Sequence, residues 1–224
     1  MNVYVVGSGK LAKAILAADL SSELFEVVPW PLHVEQLNEK AIVVHAGSGR
    51  QLKECISFCS RSKSILVELS TGLETEHIEP SFPLILCPNT SLLILKAMMM
   101  LESSGHYFKD YKISITESHQ SAKTTEPGTA FQFAASLNYP TDKIISVRDI
   151  EIQRKLAIPE EFLDRHAYHR ITIEDETDQV VIETRALGHS TYVRGVQRII
   201  NVVAKGSWQN RTYTILDLVD NNEL

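Results

Sequence analysis

Val3-Tyr4-Val5-Val6-Gly7-Ser8-Gly9-Lys10-Leu11-Ala12 runs from an apolar strand through a glycine turn into a helix, whose pattern continues at Ile15 and Leu16. The second half of this segment fits G-x-G-x-x-A. In a dinucleotide-binding turn the first glycine permits a sharp reversal and the second lets a pyrophosphate approach the backbone. A small third residue allows helix and strand to close up. The helix N-terminus then offers free N–H groups and a partial positive charge to phosphates. Gly7, Ser8, Gly9, Lys10 and Leu11 are therefore candidate cofactor contacts.

Further apolar runs of strand length follow at 25–28, 41–44, 65–69 and 84–87, and a helical pattern at 50–62 carries Leu52, Cys55, Ile56 and Cys59. Strand alternating with helix implies a parallel sheet with right-handed crossovers, a Rossmann-like doubly wound α/β domain. After the second strand the chain reads Val28-Pro29-Trp30-Pro31. That offers neither a carboxylate for the adenosine ribose nor an Arg for a 2′-phosphate, so the residues favour neither NADH nor NADPH. Trp30 either stacks on adenine or packs.

From Leu92 onward the composition changes. A strongly apolar stretch at 92–101, with three consecutive Met residues, predicts a buried helix. Strand patterns then lie at 111–118, 144–150, 170–174 and 180–187, with helical patterns at 131–137 and 191–204, the last stopped by Gly206. Strands now outnumber helices, which predicts a second, α+β domain on a mixed or antiparallel sheet. The expected division is 1–92 with 190–224 for the first domain and 93–189 for the second.

With 224 residues the chain is long enough for one large or two small domains at about 150 residues each. At 44% hydrophobic and 22% charged, with ten Gly and eight Pro, it falls outside the disordered, fibrous and low-complexity classes. A net charge of −6 gives no global field for nucleic acid or anionic lipid, so an anion site must be local. No stretch approaches the ~18 apolar residues of a membrane span, and Met1 leads straight into a strand, so a cytoplasmic protein is expected. Three cysteines, Cys55, Cys59 and Cys87, form no disulfide framework and read as small buried hydrophobes. No metal site is expected; His166 and His169 fall in a charged segment that reads as a solvated face.

The densest chemistry lies between Thr116 and Ala130. A strand delivers Glu117 and His119, two apart and so on one side. Lys123 follows in a loop, and Pro127-Gly128-Thr129 opens the next helix, whose first N–H groups favour an anion. An imidazole, an ammonium and a helix N-terminus together suit a carboxylate-bearing substrate that must receive a proton. A solvated loop with a helix cap is the plainer alternative.

This combination resembles the dihydrodipicolinate reductase family, also called 4-hydroxy-tetrahydrodipicolinate reductase. The family's mark is Glu-x-His-His-x-x-Lys followed by Asp-x-Pro-Ser-Gly-Thr-Ala. Glu117, His119, Lys123, Pro127, Gly128, Thr129 and Ala130 match it in order. Leu69-Ser70-Thr71-Gly72 is similar to the family's Gly-Thr-Thr-Gly turn, and Asn89-Thr90-Ser91 to its Asn-Phe-Ser. Arg185, Ala186, Tyr192, Gly195 and Arg198 resemble its return segment. The resemblance implies NADPH- or NADH-dependent reduction of a small cyclic dicarboxylate on the diaminopimelate and lysine pathway. It further implies a homotetramer joined through the second domain's sheet.

Carried over by residue, His119 is the expected proton donor and Lys123 the cationic partner of a substrate carboxylate, held also by Gly128 and Thr129. Gln120 and His189 occupy substrate-side positions, where the family has a His and an Arg. Ala46, Ser70, Thr71, Gly72, Asn89 and Ser91 join the cofactor set. The chain departs from the pattern elsewhere as well. Thr125 replaces the Asp, the Ser before Gly128 is missing, His45-Ala46 stands for Asp-Phe, and Leu95 replaces an Asn. These changes leave two alternatives: another nicotinamide-dependent oxidoreductase of an imine or amino acid, or a catalytically silent nucleotide-binding homologue.

Overall fold

A computed structural model of the chain describes residues 1–124, 126–221 and 224. β1 (Asn2–Val6) pairs in parallel with β2 (Glu26–Pro29) on one side and β3 (Ile42–His45) on the other. β4 (Ile65–Glu68), β5 (Leu84–Leu86) and β10 (Thr212–Thr214) extend the sheet beyond β3, giving six parallel strands in the order β10-β5-β4-β3-β1-β2. Every residue of β3 and β4 is buried, as expected of strands covered on both faces. The chain order reverses between β2 and β3 on either side of β1. In such sheets this switch point opens a crevice at the strands' carboxyl ends.

The sheet belongs to a unit made of Met1–Leu92 and Tyr192–Leu224. Its helices are α1 (Lys10–Ala17), α2 (Leu52–Ser62), most of α6 (Ser190–Lys205) and α7 (Ile215–Asp220). α6 presents Val193, Val196, Ile199, Ile200 and Val203 to the core at helical spacing and stops before Gly206. Gly195 lets it approach the chain after β5, where the Thr90 hydroxyl donates to the Tyr192 carbonyl at 3.0 Å. Cys55, Cys59 and Cys87 are buried, and burial raises each thiol's pKa, that of Cys55 to about 12. Trp30 packs edge-on against Tyr4 and Phe58.

The second unit, Leu93–Thr191, carries a four-stranded mixed sheet in the order β7-β6-β8-β9. β6 (Lys112–His119) runs parallel to β7 (Ile145–Val147) and antiparallel to β8 (His166–Glu174), which pairs antiparallel with β9 (Gln179–Leu187). α4 (Gly128–Ser136) buries Ala130, Phe133 and Ala134. The α/β sheet with a separate α+β unit is the architecture that the hydrophobic pattern predicted. No helix among the described residues is long and apolar enough to cross a membrane.

Several local expectations need correction. The strand expected at 144–150 ends at Val147, because Asp149 caps a new helix, α5 (Ile150–Lys155), accepting from the Ile152 N–H at 3.0 Å. β10 and α7 lie outside the elements that the hydrophobic pattern predicts, although Thr214 and Asp217 form a capping box at the start of α7. The apolar helix after β5, α3 (Leu92–Ser104), is not buried all round: Leu93 and Met100 face solvent. His166 and His169 do not form a solvated face. They lie on an inner strand, where residues three apart point to opposite sides, and both are buried.

Candidate functional site

In the first unit, Gly7, Ser8 and Gly9 after β1 and Ala46 after β3 line one cavity of about 490 Å³, together with Gly47, Ser48, Arg50 and Gln51. It opens where the sheet topology places the crevice. A Cβ on Gly7 would stand 2.5 Å from the Ala46 carbonyl oxygen, and φ there is +122°, so glycine is required for the two loops to meet. A Cβ on Gly9 would project into open space, and no side chain caps α1 at Gly9. The first turn of α1, with Lys10 and Leu11, thus leaves its N–H groups available to an anion. This backbone cradle fits the diphosphate of a dinucleotide.

Ser70 of the loop after β4 adjoins this region through its hydroxyl, which donates to the Gly47 carbonyl at 2.5 Å. Thr71 and Gly72 follow, exposed. Beyond β5, Asn89 turns back so that its Oδ1 accepts the Ser91 N–H at 2.9 Å, and Ser91 is itself buried. Sequence reasoning missed Gly47, Ser48, Arg50 and Gln51; the glycines in Gly47-Ser48-Gly49 were the readable signal of a close-approach loop.

In the second unit the pleat sets the arrangement. A row crosses the sheet on one face, with Ser146 of β7, Glu117 of β6, His169 of β8 and Thr184 of β9 in register. Glu117 is fully buried, with its Oε2 2.6 Å from His119 Nδ1 while its Oε1 accepts from an Arg148 Nη at 2.7 Å. Burial pushes this carboxyl up, but hydrogen bonds from His119, Arg148 and Ser146 outweigh it and hold the pKa down at about 2. The His119 ring lies edge-to-face with that of His169 at 5.9 Å, and His169 Nδ1 is 2.9 Å from Thr184 Oγ1. Burial, and then the charge of His119, lowers the His169 pKa to about 4. His169 is thus kept neutral near pH 7.

The turn after β6 is closed by the Lys123 N–H donating to the Gln120 carbonyl at 2.9 Å, and Gln153 of α5 donates to the His119 carbonyl at 2.8 Å. Burial and the nearby Arg148 charge lower the pKa of Lys123. Gly128 and Thr129 begin α4 without a side-chain cap, and the Gly128 N–H donates to the Glu126 carbonyl at 3.1 Å. His189 is half-buried in the turn between β9 and α6, and Thr125 lies outside the described residues. The structure therefore gathers His119, Gln120 and Lys123 in one segment. It adds Arg148 and His169, which no spacing in the sequence links to it; strand pairing brings them there.

A crevice at the switch point of a parallel sheet and a cationic, imidazole-bearing cluster on a separate mixed sheet define a two-unit α/β protein of nucleotide-fold type. Within that class, the chain belongs to the dihydrodipicolinate reductase family: residues 94–219 match the family profile "Dihydrodipicolinate reductase, C-terminus". It is 26% identical over 130 residues to "Probable 4-hydroxy-tetrahydrodipicolinate reductase 2, chloroplastic" of Oryza sativa subsp. japonica, covering 54% of this chain and 40% of the relative. Its identity to "Probable 4-hydroxy-tetrahydrodipicolinate reductase 1, chloroplastic" of the same plant is 29% over 131 residues, covering 54% and 38%. The matches thus span about two fifths of the length of these curated relatives. Among solved structures, the dipicolinate-bound dihydrodipicolinate reductase from Paenisporosarcina sp. TG-14 shares the fold over 98% of this chain and 99% of its own, with a TM-score of 0.71 at 18% identity.

Proposed function

We propose that this chain is an NAD(P)H-dependent reductase of 4-hydroxy-tetrahydrodipicolinate or dihydrodipicolinate, forming tetrahydrodipicolinate for diaminopimelate and lysine synthesis. The observation that carries this reading is the His119–Glu117 pair with Arg148 and Lys123 around it. A bound nicotinamide nucleotide would supply the hydride. The cradle formed by Gly7, Ser8, Gly9 and the Ala46 loop supports a site for it, with Lys10, Leu11, Ser70, Thr71, Gly72, Asn89 and Ser91 as the further expected contacts.

The chain's own residues do the rest. Glu117 fixes the orientation of His119 through Nδ1, leaving Nε2 as the nitrogen that hands a proton to the substrate ring nitrogen. Lys123 holds a substrate carboxylate together with Gly128 and Thr129 at the start of α4, through backbone N–H and the Thr129 hydroxyl; Gln120 and His189 complete the substrate side. One anion, Glu117, sits among two cations and an imidazole, a balance that suits a dianionic ligand.

The deciding experiment is a coupled assay with freshly generated synthase product, following loss of reduced-nicotinamide absorbance with NADH and with NADPH. Absence of turnover with both would overturn the reading. A second reading, an imine or amino acid as substrate, is supported by Gln120 in the turn beside His119, and a substrate panel separates the two. Assembly as a homotetramer through the four-stranded sheet belongs to the first reading. Edge strand β9 supports it, exposing Val180 and Val181. Light scattering in solution tests it.

A further inference from the structure

His45 and Glu68 end the adjacent strands β3 and β4 and stand directly opposite each other in register. Both side chains are fully buried, with His45 Nδ1 2.8 Å from Glu68 Oε1. Their strands are otherwise apolar, Ile42-Val43-Val44 and Ile65-Leu66-Val67. A buried polar pair is costly to desolvate, and an apolar pair of similar volume often serves stability equally well. What the pair holds therefore matters more than what it fills.

Each partner reaches into the loop that follows a strand. Glu68 Oε1 also accepts the Ser70 N–H at 2.8 Å, and the Ser70 hydroxyl donates to the Gly47 carbonyl. His45 Nε2 lies 3.4 Å from the Arg50 carbonyl oxygen, and a Cβ on Gly47 would stand 3.0 Å from it. The loop so tethered, Ala46 to Gln51, forms one wall of the cavity. It contains Gly49 at φ +86° and Gln51 at φ +63°. A left-handed non-glycine residue persists only where its surroundings over-determine it.

We propose that His45 and Glu68 are a positioning pair that holds the loops after β3 and β4 in the shape that receives a nicotinamide nucleotide, although neither side chain lines the cavity. This rests on the reading of that cavity as the nucleotide site. The pair acts through the Ser70–Gly47 tie and the Arg50 carbonyl, so its removal loosens the wall without removing any contact to the ligand.

The test compares the full chain with His45→Leu, Glu68→Met and the double variant, measuring NADH and NADPH affinity by fluorescence and thermal stability in parallel. His45→Leu alone strands a buried carboxylate and lowers Tm. Adding Glu68→Met restores Tm, yet nucleotide affinity stays about tenfold weaker, the size of one or two lost hydrogen bonds. Amide exchange at Gly47 and Ser70 is also faster in the double variant. If affinity recovers together with Tm, the pair is only structural and the proposal is overturned. If the double variant does not fold, Glu68→Met alone, which removes the acceptor of the Ser70 N–H and leaves no stranded carboxylate, decides by the same affinity and exchange readouts, and unchanged values overturn the proposal. Failure of the unmodified chain to bind either nucleotide would instead refute the cavity reading.

Discussion

His119 Nδ1 lies 2.6 Å from Glu117 Oε2, and the carboxylate that holds it is fully buried with its other oxygen on Arg148. The imidazole is therefore fixed in tautomer and direction by a group that solvent does not reach. Replacing Glu117 with Gln keeps the shape but removes the charge. Turnover should fall by up to about 10⁴-fold, the scale of loss when a carboxylate that sets the tautomer of a proton-transferring His becomes an amide. Nucleotide affinity should stay unchanged, because Glu117 is not among the residues that line the cavity beside Gly7 and Ala46. Steady-state kinetics beside a nucleotide titration check this; equal losses in both would contradict it.

The same cluster makes stability depend on acid. His169, held at about 4 against an ordinary 6.5, is neutral when folded, so the unfolded chain binds more protons between those values and stability drops as pH falls from 6.5 to 4. Glu117, held at about 2 against 4.5, contributes stability that is present above 4.5 and lost as pH falls towards 2. Each shift corresponds to about 3 kcal/mol of stability lost by the time pH reaches the acid end of its window. Urea unfolding at pH 7, 5 and 4 should show a His169→Phe variant losing less stability across that range than the unmodified chain. An identical slope would show that His169 is not the group being titrated.

Much of this architecture could be read from local pattern. The β1 glycine turn, the apolar runs of β3 and β4, and the i, i+2 spacing of Glu117 and His119 are signals confined to a few residues, and each led to the element that forms. Arg148 and His169 carry no such signal. They reach Glu117 only because β7 and β8 flank β6, a pairing set by tertiary contacts rather than by any spacing along the chain. For the same reason His166 and His169 looked solvated: a charged neighbourhood in sequence became an inner strand once β9 covered the far edge of β8.

Packing of α6 on the chain after β5 depends on one missing side chain. A Cβ at Gly195 would stand 1.7 Å from the Thr90 carbonyl oxygen, a backbone atom that cannot move aside cheaply. Gly195→Ala should therefore destabilise the first unit by about 3 kcal/mol or more, beyond the helix-propensity gain of about 1 kcal/mol that alanine brings. Denaturant unfolding measures it, and a variant as stable as the parent would mean that α6 can shift away.

Arg50 is an exposed residue of the cavity wall, and its carbonyl oxygen meets His45 Nε2 while its side chain lies on the solvent side. In a chain of net charge −6 this guanidinium is a local source of the positive field that phosphates need. Arg50→Ala should weaken nucleotide binding about tenfold at low salt, the effect of one charge-assisted hydrogen bond. Screening shrinks the difference as ionic strength rises, because the Debye length falls to about 3 Å at 1 M salt. Titrations with NADH and NADPH at low and high salt separate the possible roles. A loss equal for both nucleotides places Arg50 at the shared diphosphate, whereas a loss confined to NADPH places it at the 2′-phosphate. No loss with either would remove Arg50 from the site.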